Sequence, residues 1–179
     1  MLSSDHGRLK SRRAGTWIVL ATLAVALAAC TVQPLYAPTA AGTSVATTIA
    51  SVYIEDVDTR LAQEVRNKLI FGLNGGAGQP ANPAYRMKLN VTSSETAPGV
   101  TTFETAPAYS ITVAATYEVT SVETGKIVYR STARGTASFD RVNQIYANTR
   151  AKLDAENRAA AQVANDIAIR VAAAVAHGL

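Results

Sequence analysis

The stretch at residues 109–130, YSITVAATYEVTSVETGKIVYR, decides the fold because apolar and polar side chains alternate along it. Successive side chains of a β-strand point to opposite faces, so this period of two predicts a strand with one apolar and one polar face. The sequence ETGK at residues 123–126 predicts a hairpin turn, because glycine supplies the positive φ that such turns require. A further strand then runs from Ile127 towards Phe139. The apolar set of the first strand is Tyr109, Ile111, Val113, Ala115, Tyr117 and Val119.

The same alternation occurs upstream, at residues 85–92, and predicts another strand of this sheet. Residues 93–106, which include Pro98 and Gly99, are predicted to form the loop between the two strands. All three strands have one apolar face, which needs a cover. In the upstream strand Tyr85, Met87, Leu89 and Val91 form the apolar face, and Arg86, Lys88, Asn90 and Thr92 the polar one.

A strand and a helix are predicted before this sheet region. Residues 49–55, IASVYIE, are rich in β-formers with apolar residues on both faces, as in a strand that is covered on both sides. Residues 56–59, DVDT, offer Asp and Thr side chains that can cap a helix N-terminus. A helix of about 13 residues follows, because Leu61, Val65, Leu69 and Leu73 recur every fourth position. Glycine at residues 72–76 permits the left-handed conformation that ends it.

A second, alanine-rich helix is predicted from about Gln144 to Ala176, and we expect it to cover the apolar face of the sheet together with the first helix. Its apolar stripe and its oppositely charged pairs four residues apart are typical of an amphipathic helix. The order β-α-β-β-β-α predicts an α+β fold, a two-layer sandwich in which two helices cover a four-stranded, largely antiparallel sheet. This single domain spans residues 49–179, and the strand order stays open. The charged pairs are Arg150/Asp154, Lys152/Glu156, Asp154/Arg158 and Asp166/Arg170.

The N-terminus has the pattern of a bacterial lipoprotein signal. A basic stretch precedes the uncharged run WIVLATLAVALAA at residues 17–29, which is too short to span a membrane. The run ends in Leu27-Ala28-Ala29-Cys30, which matches a lipobox. We therefore predict cleavage between Ala29 and Cys30, with diacylglycerol and an N-acyl chain on Cys30. The alternative is a plain signal peptide or uncleaved anchor with an incidental thiol, but Cys30 is the sole cysteine and lipidation explains it.

This assignment divides the chain into a signal peptide (residues 1–29), a lipidated flexible tether (residues 30–48) and the α+β domain. The tether is rich in Ala, Thr and Pro and carries no charge. Thr31 follows the cysteine instead of the Asp that commonly retains lipoproteins at the inner membrane, which favours the outer membrane. Two or more acyl chains give stable anchoring.

Composition argues against several functional classes. Most of the formal net charge of +4 belongs to the leader, so a general affinity for nucleic acid is not expected. The two histidines, His6 and His177, lie at the chain ends and leave no catalytic triad or zinc site. The acidic run Glu55, Asp56 and Asp58 could suggest a metal site, but negative charge at a helix N-terminus is the preferred interpretation. We therefore predict no enzyme, no metal and no cofactor besides the acyl chains.

Three segments resemble the lipopolysaccharide-assembly lipoprotein (LptE) family. The head of the mature chain, CTVQPLY at residues 30–36, resembles the C-G-F-x-P-L-Y opening of one branch, with Thr31-Val32 in place of Gly-Phe. Residues 52–73, VYIEDVDTRLAQEVRNKLIFGL, resemble the family's strand, turn and first helix with its R-N-x-L core. Tyr146-Ala147 and Asp154-Ala155 resemble its last helix.

The resemblance implies an outer-membrane lipoprotein that plugs the LptD β-barrel, helps it to fold and assists lipopolysaccharide assembly. An auxiliary lipoprotein of an ABC-type lipid transporter is the alternative. Family members contact lipopolysaccharide through basic residues, although the same cations could belong to a solvated sheet face. Tyr109 and Tyr117 are expected in the core rather than on a lipid-binding surface. The basic residues of this chain that fall on or beside the polar sheet face, where they could meet the phosphates of lipid A, are Arg86, Lys88, Lys126, Arg130 and Arg134.

Overall fold

The computed structural model describes residues 45–97 and 108–178. The predicted leader, Cys30 and most of the tether lie outside these residues. Most of the loop predicted at residues 93–106 also lies outside them. In chain order the elements are α1 (Val45–Ile49), β1 (Val52–Ile54), α2 (Arg60–Asn74), β2 (Tyr85–Thr96), β3 (Ala108–Ser121), β4 (Ile127–Asp140) and α3 (Ile145–Ala176).

The four strands form one mixed sheet in the order β1-β2-β3-β4. β1 pairs with β2 in parallel, and β2, β3 and β4 pair antiparallel. Leu89 lies opposite Tyr117, and Tyr117 lies opposite Ser131. The predicted α+β class and the mostly antiparallel sheet are therefore confirmed.

The core lies between one face of this sheet and the layer formed by α2 and α3. Seven of the ten side chains that were predicted to face inward from β2 and β3 are buried, and the apolar stripes of both helices pack against them. The other three, Tyr85, Val91 and Tyr109, are partly buried at the margin of the core. No polar or charged side chain is buried among the residues that the structure describes. Apolar packing therefore holds the two layers together. Fully buried side chains include Met87, Ile111, Val113, Tyr117 and Val119 of the sheet, and Val65, Leu69, Val163, Ile167 and Val171 of the helices.

Small residues allow α3 to approach the sheet closely. Ala155, Ala159 and Ala160 are fully buried, and Gly135 of β4 lies beneath Ala159. A Cβ atom on Gly135 would stand 2.5 Å from the carbonyl oxygen of Ala159. By length and composition α3 could cross a membrane, but its apolar stripe already packs on the sheet.

The first predicted strand was wrong in its N-terminal half. Ile49 ends helix α1, where Ala50 N–H donates to the Ala46 carbonyl at 3.0 Å and Ser51 Oγ donates to the Thr48 carbonyl at 2.6 Å. Ile49 is nonetheless buried. A single apolar residue such as Ile49 can be buried from a helix or from a strand. Its hydrophobicity therefore could not distinguish the two structures in the sequence. Residues 45–48, which the sequence analysis assigned to the tether, are thus helical.

Strand β2 is longer than its alternation predicted. It continues through residues 93–96, SSET, which the sequence analysis assigned to the loop. These residues pair with β3, from Ser93 opposite Val113 to Thr96 opposite Ser110. The polar side chains of residues 93–96 give no apolar alternation, so the sequence did not indicate a strand there. Backbone pairing with β3, not burial of apolar side chains, holds these residues in the sheet.

Two of the four charged pairs predicted on α3 form, namely Asp154–Arg158 and Asp166–Arg170, both at 2.8 Å. Lys152 and Glu156 bind other elements instead. The Lys152 ammonium lies 2.7 Å from Glu95 of β2, and Glu156 forms an ion pair with Arg60 of α2. These contacts tie α3 to both neighbouring elements.

Candidate functional site

The face of the sheet opposite the helices is polar and is the first candidate for a functional surface. Threonine hydroxyls pair across β3 and β4, from Thr112 to Thr136 and from Thr116 to Thr132, each at 3.3 Å. The described helices α2 and α3 both pack on the other face. We call this surface the open face. It comprises Tyr53, Arg86, Lys88, Asn90, Thr92, Ser94, Thr96, Ser110, Thr112, Ala114, Thr116, Glu118, Thr120, Arg130, Thr132, Arg134, Thr136, Ser138 and Asp140.

Four of the five basic residues predicted to contact lipopolysaccharide lie on the open face. Arg86 and Lys88 come from β2, and Arg130 and Arg134 come from β4. All four side chains are exposed. The fifth, Lys126, is also exposed but lies in the turn between β3 and β4, beside the face rather than on it.

The structure does not gather these cations into a single anion-binding cluster. Arg130 Nη2 lies 2.9 Å from Glu118 Oε1, and the Arg86 guanidinium lies 5.3 Å from the centre of the Tyr53 ring. Lys88 and Arg134 have no ion-pair partner among the described residues. They are separated by two strands and four residues along the strand direction, about 17 Å. One phosphate group cannot contact both, so an anionic ligand that contacts both must be extended.

The acidic run after β1 closes the turn into α2. Arg66 Nε donates to the Glu55 carbonyl at 3.0 Å, and Arg66 Nη2 donates to Asp56 at 2.7 Å. Thr59 is the N-cap residue, and its hydroxyl accepts from Ala62 N–H at 3.2 Å. The arginine of the R-N-x-L sequence therefore has a structural role. No group of three metal-ligating side chains occurs in the described part of the chain.

Gln79 occupies the outer edge of β1, a contact that no sequence pattern predicts. Its Oε1 accepts from Ile54 N–H at 3.0 Å, and its Nε2 donates to the Ile54 carbonyl at 2.6 Å. One side-chain amide thus satisfies both backbone groups that a further strand would use. The residue lies in a loop without a recognisable motif, so only the tertiary fold reveals this contact.

A second surface that the sequence analysis missed lies where β4 passes into α3. Val142, Ile145 and Tyr146 are exposed, Ile145 by 84% and Tyr146 by 76%. Beside them is a cleft of about 280 Å³ that is lined in part by Glu95, Phe139, Arg141 and Lys152. Tyr146 belongs to a segment that resembles the family's last helix, and this resemblance was the one sequence feature that pointed to the surface. An exposed apolar patch with cations at its rim is typical of an interaction surface.

Of the two tyrosines expected in the core, Tyr117 lies in it and Tyr109 packs against its margin. Tyr117 is fully buried, and burial raises the pKa of its hydroxyl well above the ordinary value. That hydroxyl lies near the Ser131 and Tyr129 side chains, but it makes no hydrogen bond of acceptable distance and angle within the described residues. Tyr109 is half-buried and stacks on Phe139 with ring centres 5.7 Å apart. Neither residue forms a lipid-binding surface on the open face.

The fold is that of small lipoprotein domains of known structure. A protein of Caulobacter crescentus CB15 that was assigned as a lipoprotein matches with a TM-score of 0.61 and 20% identity, over 74% of this chain and 96% of that one. Rare lipoprotein B of Shewanella oneidensis matches with a TM-score of 0.54 and 14% identity, over 70% and 95%. The minor lipoprotein of Acinetobacter baumannii matches with a TM-score of 0.54 and 11% identity, over 68% and 88%. At these identities the likeness establishes the fold alone.

The family is established by sequence. Residues 47–171 match the LptE, lipopolysaccharide-assembly family, and this range includes most of α1, the whole sheet and most of α3. The chain therefore belongs to the LptE family, as its short segments predicted, and is a lipopolysaccharide-assembly lipoprotein of the cell envelope. A comparison with proteins of curated function found no match.

Proposed function

We propose that this protein is anchored to the outer membrane through acylated Cys30, plugs the lumen of an LptD-type β-barrel and helps that barrel to fold. In this position it assists the insertion of lipopolysaccharide into the outer leaflet. The family match across residues 47–171 carries the proposal, because it covers nearly all of the two-layer domain rather than one motif. Membership of a family of assembly factors also supports a role without catalysis.

The physical character of the domain supports the role of a plug. The lumen of an outer-membrane barrel is polar, so a domain that fills it must present polar side chains to its wall. The open face does this through rows of threonines and charged residues across three strands. The apolar residues are meanwhile packed between the layers, where they hold the domain in one shape.

The partner can be identified by affinity purification of the C-terminally tagged full chain from membranes of its native host, in mild detergent. Recovery of a large outer-membrane β-barrel in near one-to-one amount is the expected result. Recovery of inner-membrane ABC transporter subunits instead would overturn the barrel proposal and favour the auxiliary transporter lipoprotein. Mass spectrometry of the recovered bands distinguishes the two results.

For lipopolysaccharide we propose contact through Arg86, Lys88, Lys126, Arg130 and Arg134, whose guanidinium and ammonium groups pair with phosphate. The double variant Arg86→Glu/Lys88→Glu is expected to weaken binding of purified lipopolysaccharide about tenfold, since two cations are reversed. The control is Lys68→Glu/Arg170→Glu, which makes the same change of charge on the helical layer. If both double variants bind lipopolysaccharide equally, the cations of the open face are merely solvated and do not contact the ligand.

A further inference from the structure

The outer edge of β2 is not paired with a described strand over most of its length, because β1 is much shorter than β2. The last backbone hydrogen bond between the two strands runs from Glu55 N–H to the Met87 carbonyl, at 2.9 Å. Beyond it, β2 continues to Thr96. Residues 89, 91, 93 and 95 direct their N–H and C=O groups outward, as residues 85 and 87 do towards β1. These outward groups have no backbone partner among the described residues.

Side chains bond to outward backbone groups on the other two edges of the sheet, which sets this segment apart. Gln79 caps β1 at Ile54. On β4, Thr136 N–H donates to Gln162 Oε1 at 3.0 Å and Arg158 Nη2 donates to the Ser138 carbonyl at 2.8 Å. Arg130 and Arg134 place charges on the rest of β4, and charges on an edge strand discourage a further strand from pairing with it. Residues 89–94 have no charge, proline or bulge, and of the two charged residues that flank them, Lys88 and Glu95, the second is paired with Lys152 of α3.

A cleft of about 260 Å³ lies beside this edge, between β2 and the turn that follows β1. Val57, Leu89 and Val91 line it with apolar atoms. The titratable groups that line it are the carboxylates of Glu55, Asp56 and Asp58 and the ammonium of Lys88. Asp56 is paired with Arg66, whereas Glu55 and Asp58 have no ion-pair partner in the described part of the chain.

We propose that residues 88–96 of β2 are a docking edge for one extended, basic segment of a partner protein. The segment adds as a further strand through backbone hydrogen bonds to residues 89, 91, 93 and 95. One arginine or lysine of that segment lays its aliphatic stem along Val57 and Leu89 and brings its charge to Glu55 and Asp58. Charge complementarity therefore selects the partner. The inference goes beyond the proposed function, since it holds for any partner that presents such a segment.

Hydrogen exchange of the mature, lipidated full chain in detergent micelles tests the proposal. The probe is the acetylated and amidated peptide Thr-Val-Arg-Val-Thr-Val-Thr, at millimolar concentration. It is expected to slow amide exchange in residues 88–96 at least fivefold, without slowing exchange in β4. The same peptide with glutamate in place of arginine, and a version N-methylated at alternate amides on its pairing edge, should each bind at least tenfold more weakly.

The double variant Glu55→Gln/Asp58→Asn is expected to weaken binding of the arginine peptide at least fivefold. Its matched control is Glu123→Gln/Asp140→Asn, which removes two exposed carboxylates distant from the cleft and should leave binding unchanged. Circular dichroism of both variants verifies that the fold is retained.

Several results would overturn the docking edge. They are protection of β4 instead of β2, no protection at all, equal binding by the N-methylated peptide, and equal binding by the two double variants. Protection of β2 in the absence of peptide, together with a dimeric mass, would assign the edge to a second copy of this chain and also overturn the proposal. None of these results depends on which partner the affinity purification recovers.

Discussion

At Gly135 the two layers of the domain approach each other closely. A methyl group there would lie 2.5 Å from the backbone oxygen of Ala159 and 3.0 Å from Gln162 Cβ. Backbone cannot rotate away as a flexible side chain can, so helix α3 must shift. We expect Gly135→Ala to lower the free energy of unfolding by about 1–3 kcal/mol, as measured by urea denaturation.

Gly72 provides the matched control for this substitution. It lies inside helix α2, has no atom within 4 Å of the added methyl group and does not adopt a positive φ. Alanine is the better helix former, so Gly72→Ala should leave the protein as stable or raise its stability by up to about 1 kcal/mol. A Gly135→Ala protein as stable as Gly72→Ala would disprove the close contact.

The buried hydroxyl of Tyr117 predicts an effect of pH on stability. Burial raises the pKa of Tyr117 in the folded state above that in the unfolded state. Its contribution is therefore complete below about pH 10, the unfolded pKa, and is lost as the pH rises towards the folded pKa. We expect Tyr117→Phe to weaken the fall in unfolding free energy above pH 10, as followed by chemical denaturation at several pH values.

At pH 7 the same variant should be neutral or more stable by up to about 1 kcal/mol, because the hydroxyl that it removes has no partner among the described residues. Tyr146→Phe serves as the control, since its ring is largely exposed. A marked loss of stability in Tyr117→Phe at pH 7 would mean that the hydroxyl makes a hydrogen bond.

At the scale of elements, Arg66 locks the turn between β1 and α2. Its guanidinium donates to the Glu55 carbonyl and to Asp56, and it is mostly sheltered from solvent, with 18% of the side chain exposed. We expect Arg66→Ala to lower the free energy of unfolding by about 1–3 kcal/mol, because it leaves these acceptors without their charged donor. Thermal denaturation measures the change.

Lys68 is the control on the same helix. Its ion pair with Glu64, at 3.1 Å, is exposed, so Lys68→Ala should change stability by no more than about 0.5 kcal/mol. Similar stabilities of the two alanine variants would contradict a structural role for the arginine of the R-N-x-L sequence.

At the scale of the whole molecule, the predicted anchor decides where the domain works. Cys30→Ser should prevent lipidation and leave the precursor unprocessed or merely secreted, because serine has no sulfur to receive the diacylglycerol. Metabolic labelling with palmitate and fractionation of the envelope check this result. An acylated, membrane-bound Cys30→Ser protein would contradict the lipoprotein signal.

The sequence by itself determined the elements that local periodicity encodes. The alternation through β3 predicted which side chains would be buried, from Ile111 to Val119. The predicted ends of α2 are confirmed. The Thr59 hydroxyl caps its N-terminus, and Gly75 ends it in the left-handed conformation. These features depend on neighbours within a few positions along the chain, so a single sequence contains them. The basic residues of the open face were placed correctly on β2 and β4 for the same reason.

Only the tertiary structure decided features that depend on residues distant in sequence. Ile49 entered a helix, residues 93–96 became strand through β3, and Gln79 capped β1. Lys152 forms its ion pair with Glu95 of β2 instead of with Glu156 on its own helix. The parallel pairing of β1 next to β2, and the open edge that it leaves, belong to the same class. Each is set by a partner at least one element away, whereas a periodic pattern reports only which face of its own element is apolar.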